Sequence, residues 1–109
     1  MTAPMLSGNP FEALGNSHRR AIVELLAERP RSVQEIADGL PISRPAVSRH
    51  LRVLTRAGLV GDEQVGTRRL YQLQQQGVDA VRGYLEQVWG DAARRFQIFA
   101  ENTRPPTRP

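Results

Sequence analysis

Apolar side chains return along the chain in steps of three and four. They stand at Ala21, Ile22, Leu25 and Leu26, again at Val33, Ile36, Ala37 and Leu40, and again at Val47, Leu51 and Leu54, the spacing of successive amphipathic helices. The breaks between these runs carry helix punctuation. Pro10 to Leu14 gives a short first helical signal, Ser17 is placed to cap the helix that follows, and Pro30 ends it. Ser32 and Glu35 have the Ser-x-x-Glu spacing of a capping box, in which each side chain satisfies the other residue's backbone N–H. Ser43 then caps a helix running to Ala57, with Pro45 in the first turn, where a missing N–H costs little, and Gly58 as the residue that closes it. Two short helices joined by Gly39-Leu40-Pro41-Ile42 predict a helix-turn-helix whose second member, 43–57, is the recognition helix.

From Leu59 the periodicity changes. Leu59-Val60, Gln64-Val65 and Arg68 to Leu73 flank Gly66-Thr67, a pair suited to a two-residue hairpin turn, so 59–73 reads as a β-hairpin wing with Tyr71 and Leu73 on the inward face. Val78 to about Asn102 reads as one long helix with an apolar stripe at Val81, Leu85, Val88, Ala92, Phe96 and Phe99, flanked by Trp89. Such a helix is about 35 Å long, more than a domain of this size covers by itself. Gly83 and Gly90 share one of its faces and are read as tolerated. The predicted fold is mainly α with a small β-hairpin, a winged helix-turn-helix over residues 9–102, with 1–8 as a flexible N-terminus and the Arg/Pro-rich 103–109 as a disordered tail. A single domain within 109 residues has an unfavourable surface-to-volume ratio, and burial against a second copy would offset it.

Composition sharpens this picture. The net charge is +4, and all 15 basic residues are arginine, whose planar fork fits phosphate and guanine bidentately. Their placement matters more than their number. With Val47, Leu51 and Leu54 facing the core, a 100° step per residue puts Pro45, Ser48, Arg49, Arg52 and Arg56 on the opposite face, with Arg44 at its leading edge. The N-terminal part of a recognition helix enters the major groove, so Arg44, Ser48 and Arg49 are candidates for base edges and Arg52 and Arg56 for phosphates. Thr67, Arg68 and Arg69 at the hairpin tip are candidates for the flanking backbone or minor groove. Asp62 and Glu63 on the outgoing strand would repel phosphate and are expected to face away.

Other chemistry finds little support. Cysteine is absent, which removes disulfides, thiolate metal sites and thiol nucleophiles. His18 and His50 lie on different elements without ligand spacing. His50 borders the buried face of its helix and reads as a packing residue, and His18 as an exposed first-turn residue. No nucleophile with a base, carboxylate pair or phosphate-binding glycine loop stands in the right context for an enzyme. The first ten residues lack a signal-peptide pattern, and no apolar run approaches a membrane span, so a cytoplasmic protein without cofactor is expected. A winged-helix module that binds protein is the alternative from another class, opposed by the basic recognition face.

The segment from Ser43 to Val60, together with Ala13-Leu14-Gly15, Arg20 to Leu26 and Gly66 to Leu73, resembles the ArsR family of prokaryotic winged-helix repressors. The resemblance implies a homodimer built from the first and last helices, with Phe11, Leu14, Val81, Leu85, Val88, Trp89, Ala92 and Phe96 in its interface. It further implies two recognition helices in successive major grooves of an inverted-repeat operator in double-stranded DNA, and repression of the protein's own or nearby genes. Ser43 to Arg52 match the family's DNA-reading helix and Gly66 to Arg69 its wing. The chain departs from the family's metal sensors, having no cysteine and no histidine on the last helix, so no metal is expected. The sequence specifies no effector, and a small-molecule-responsive regulator of the same fold is a further alternative.

Overall fold

A computed structural model describes residues 8–103, with side chains as far as Ala100. The expected disordered ends therefore lie outside the described residues, apart from Gly8 and the backbone of Thr103. Gly8 is tied down, its N–H donating to the Arg56 carbonyl at 3.1 Å. Thr103 still belongs to the last helix.

The elements follow in the order α1 (Pro10–Ala13), α2 (Ser17–Glu28), α3 (Val33–Asp38), α4 (Arg44–Arg56), β1 (Val60–Val65), β2 (Arg68–Leu73), α5 (Gln75–Leu85) and α6 (Asp91–Thr103). Local chemistry sets most of the starts. Asn9 caps α1, its Oδ1 accepting from the N–H groups of Phe11 at 2.7 Å and Glu12 at 3.3 Å. Asn16, and not Ser17, caps α2 by accepting from Arg19 N–H at 3.0 Å. Both residue types cap well. Here the asparagine holds the extended backbone, and the serine becomes the first helical residue. The capping box forms as the spacing predicts: Ser32 Oγ accepts from Glu35 N–H at 3.2 Å, and Glu35 Oε1 accepts from Ser32 N–H at 2.9 Å. Ser43 caps α4 through Ala46 N–H at 3.3 Å.

Helices α2, α3 and α4 enclose a core in which Ile22, Ile36, Val47, Leu51, Leu54 and Val60 are fully buried. Each such side chain stabilises the fold by about 1.5–3 kcal/mol relative to exposure. The hairpin is antiparallel, with Val60 opposite Leu73, Asp62 opposite Tyr71 and Val65 opposite Arg68. Gly66 at its tip has φ +64°, which suits a tight hairpin turn. Arg31 adds a third edge, its N–H donating to the Tyr71 carbonyl at 3.0 Å and its carbonyl accepting from Tyr71 N–H at 2.7 Å. Tyr71 and Leu73 pack on the core, the inward face expected for them.

The long last helix differs from its sequence reading in two ways. It begins at Gln75, and a π-turn at Glu86–Gly90 interrupts it. Such a turn bonds i to i+5 and holds one residue more than an α-turn, so the stripe beyond it is rotated by about 100° relative to an unbroken helix. Trp89 is thereby brought toward the line of Val81 and Leu85, and Ala92 and Phe99 are turned to its side. The helix projects from the body, and with it the molecule measures 64 × 41 × 24 Å.

Its root is fixed by backbone meeting backbone. Gly77 N–H donates to the Gly58 carbonyl at 2.9 Å, and a Cβ at Gly77 would lie 2.3 Å from that same oxygen. Gly58 closes α4 with φ +75°, so neither partner has room to give. Gly77→Ala should cost about 1–3 kcal/mol, as overpacking does, measured by urea denaturation. Gly83→Ala, whose added methyl meets nothing within 4 Å, should instead leave stability unchanged or raise it by up to about 1 kcal/mol.

Candidate nucleic-acid interface

The outward side of α4 is set by its buried side. With Val47, Leu51 and Leu54 sealed in the core, Arg44, Pro45, Arg49, Arg52 and Arg56 are exposed and Ser48 is half-buried. Ser43 is exposed at the cap. No acidic residue lies between Arg44 and Arg56, and among the described residues none of these four arginines is in an ion pair. The helix therefore presents its charge unneutralised. Arg44, Pro45 and Ser48 border a shallow depression with Val33 of α3. On the wing side, Ser48, Arg52, Thr55 and Arg56 line a cleft of about 380 Å³ closed by Asp62 and Tyr71.

The wing presents the opposite case. Thr67, Arg68 and Arg69 are exposed at the tip, but both arginines are engaged by carboxylates. Arg69 Nη1 pairs with Asp62 Oδ2, and Arg68 Nη2 pairs with Glu35 Oε1 at 2.8 Å. Arg29 lies 3.7 Å from the other oxygen of Glu35. Asp62 thus does not turn away from the recognition helix, as its charge had suggested. It faces the cleft because it is two residues from Val60 on a strand whose partner places Tyr71 opposite, and diagonal cross-strand neighbours are within reach of a long side chain. The Ser32 N–H, then the charges of Arg68 and Arg29, hold Glu35 below the ordinary carboxylate range, while partial burial pulls the other way.

His18 and His50 come together although they are far apart in sequence, with ring centroids 5.9 Å apart. Arg19 ties His50 to the body: its Nε donates to the Ala13 carbonyl at 2.7 Å, and its Nη1 lies 3.4 Å from His50 Nδ1. A guanidinium can only donate, so this contact requires a neutral imidazole. Burial, followed by the charges of Arg19, His18 and Arg49, lowers the His50 pKa from 6.5. The unfolded chain then binds the proton more readily, and the seam between α2 and α4 loses stability as pH falls below about 6.5. His50 is half-buried in the packing position expected of it. Among the described residues no three His, Asp or Glu side chains come together as a metal site.

Most of the residues assigned to a dimer surface are open to solvent. Leu14 and Val81 are half-buried, whereas Phe11, Leu85, Val88, Trp89, Ala92 and Phe96 are exposed, Trp89 by 60% and Phe96 by 71%. Tyr84, not singled out in the sequence, belongs with them. It meets Phe11 edge-on with centroids 4.8 Å apart and so joins α1 to α5. The signal was its one-residue offset from Leu85, which a strict stripe leaves out. No helix among the described residues is long and apolar enough to cross a membrane.

A helix-turn-helix domain family matches residues 14–61. Over 79 residues the chain is 53% identical to the HTH-type transcriptional regulator Rv2034 of Mycobacterium tuberculosis, covering 72% of this chain and 74% of that one. It is 42% identical over 67 residues to the transcriptional repressor SmtB of the same organism, covering 62% of this chain and half of SmtB. Among solved structures it resembles the homodimeric winged helix-turn-helix DNA-binding domain Mb0332 of Mycobacterium bovis, a possible ArsR-family regulator, with TM-score 0.61 and 28% identity, covering 79% of this chain and 80% of that one. With its capped helix-turn-helix, its hairpin and these relatives, the chain belongs to the ArsR-type winged helix-turn-helix transcriptional regulators, which act by binding DNA.

Proposed function

We propose that the protein is a dimeric, metal-independent cytoplasmic repressor that binds an inverted-repeat operator, without catalysis, through the outward face of α4. The observation that carries this reading is the row of unpaired arginines, Arg44, Arg49, Arg52 and Arg56, on an exposed helix face free of carboxylates. Arg44, Ser48 and Arg49 near the helix start read base edges, and Arg52 and Arg56 meet phosphates on either side. Ser43 and Pro45 set the helix start that aims them, and Thr67 at the wing tip lies beside the flanking backbone. Repression follows from occupying promoter DNA.

The dimer is supported by apolar surface that one copy leaves in water. Phe11, Leu14 and Tyr84 on one side and Val81, Leu85, Val88, Trp89, Ala92 and Phe96 along the projecting helix form a surface that a second copy covers with its own α1, α5 and α6. Two-fold symmetry then sets the recognition helices about 34–36 Å apart, one turn of DNA or a multiple of it.

Arg49→Ala should weaken binding to duplex from upstream of the protein's own gene by about 1–3 kcal/mol and relax base preference at one position of each half-site, as loss of a bidentate contact does. Fluorescence anisotropy with and without chelator checks this, and unchanged affinity of the variant rejects the assignment. Val88→Glu should shift the sedimentation coefficient to that of a single copy. An unaltered mass at micromolar concentration places the interface elsewhere.

A further inference from the structure

The two basic elements of this surface differ in one respect. Among the described residues the four arginines on α4 have no carboxylate partner, whereas both wing arginines have one, and the partners come from different elements: Asp62 from β1 and Glu35 from α3. The hairpin from Val60 to Leu73 contains two acids and two arginines and is neutral in itself. Stability does not account for these pairs. The side chains of Arg68 and Arg69 are each 55% exposed and those of Glu35 and Asp62 each 32%, and ion pairs this open add little to stability. Asp62 stands beside Arg52 and Arg56 in the cleft between α4 and the wing, where a strand passing along α4 would bring its phosphates.

We propose that Asp62 and Glu35 are specificity-determining residues that stand in for DNA phosphate, holding Arg69 and Arg68 and so lowering affinity for DNA of arbitrary sequence. The inference rests on the reading that α4 faces DNA. An arginine that meets only phosphate strengthens binding to every sequence alike. A carboxylate already in place, needing no ordering to reach it, cancels that contribution and leaves discrimination to the unpaired arginines of α4. In this arrangement the wing sets shape and register, and the recognition helix supplies the charge.

The test is a salt titration of binding to a mixed-sequence duplex by the full chain. Asp62→Asn should tighten binding at low salt and steepen the dependence of log K on log salt by about 0.9, one added phosphate contact, so that the loss between 50 and 200 mM is about 3.5-fold larger than for the unaltered protein. Glu35→Gln should do the same through Arg68, since glutamine still closes the capping box and the fold is kept. The double variant Asp62→Asn with Arg69→Gln should return to the original slope. An unchanged slope in Asp62→Asn, with its unfolding transition intact, overturns the proposal. So does a steepening that persists without Arg69, which would be simple removal of charge. Arg52→Gln on the same duplex separates the two readings. If it fails to flatten the slope, α4 does not face DNA; if it flattens it while Asp62→Asn has no effect, only the present inference fails.

Discussion

The burial of one edge of α4 determines where everything else on that helix points. Val47, Leu51 and Leu54 are sealed against Ile22, Leu26 and Ile36, and at 100° per residue their depth leaves no freedom in the direction of Arg49 or Arg52. The close packing of protein interiors makes this rigid, because rotating α4 to hide an arginine would expose leucine and bury charge at once. Caps at Ser32 and Ser43 fix where α3 and α4 begin, so the face is fixed along the helix as well as around it. The charge that α4 displays is thus a consequence of the core.

The same core is too small to cover the rest of the chain. It is closed by α2, α3, α4 and the hairpin, and α5 is fastened beside it at three points: Gly77 meets Gly58 at its start, Val81 packs on the core, and Tyr84 meets Phe11 near its end. From there the chain carries Leu85, Val88, Trp89 and Phe96 into water. Isolated exposed apolar residues need no explanation, but a contiguous row of large ones does. A row that continues through a π-turn, with Trp89 brought toward the line of Val81 and Leu85, is shaped for contact along its length.

What could be read from the sequence follows the range of the interactions involved. The helix-turn-helix was legible because caps, capping box and apolar period act within a few residues, and the wing because Gly66-Thr67 admits few alternatives. The error at Asn16 is of the same local kind: two adjacent capping residues compete, and the backbone decides. The Asp62 pairing was within reach, since a two-residue turn at Gly66-Thr67 fixes Asp62 opposite Tyr71 and leaves Arg69 on its diagonal. Glu35 with Arg68 and His18 with His50 were not, because each depends on how separate elements dock. The π-turn left no sequence signal that distinguishes it from a tolerated Gly90.

Charge in this protein is sorted by partner as well as by position. A regulator whose arginines were all unpaired would gain affinity for every duplex equally, and the many competing sites of a genome would then hold it away from its target. Affinity from phosphates therefore has an optimum, set by how many cations are left without an internal anion. The carboxylates at Glu35 and Asp62 lie on the elements that flank α4 on either side, α3 and β1, and none lies on α4 itself. On the proposed reading, that distribution would limit the sequence-blind contribution at the edges of the surface and preserve it on α4, where side chains would reach base edges and the same guanidinium would provide both affinity and discrimination.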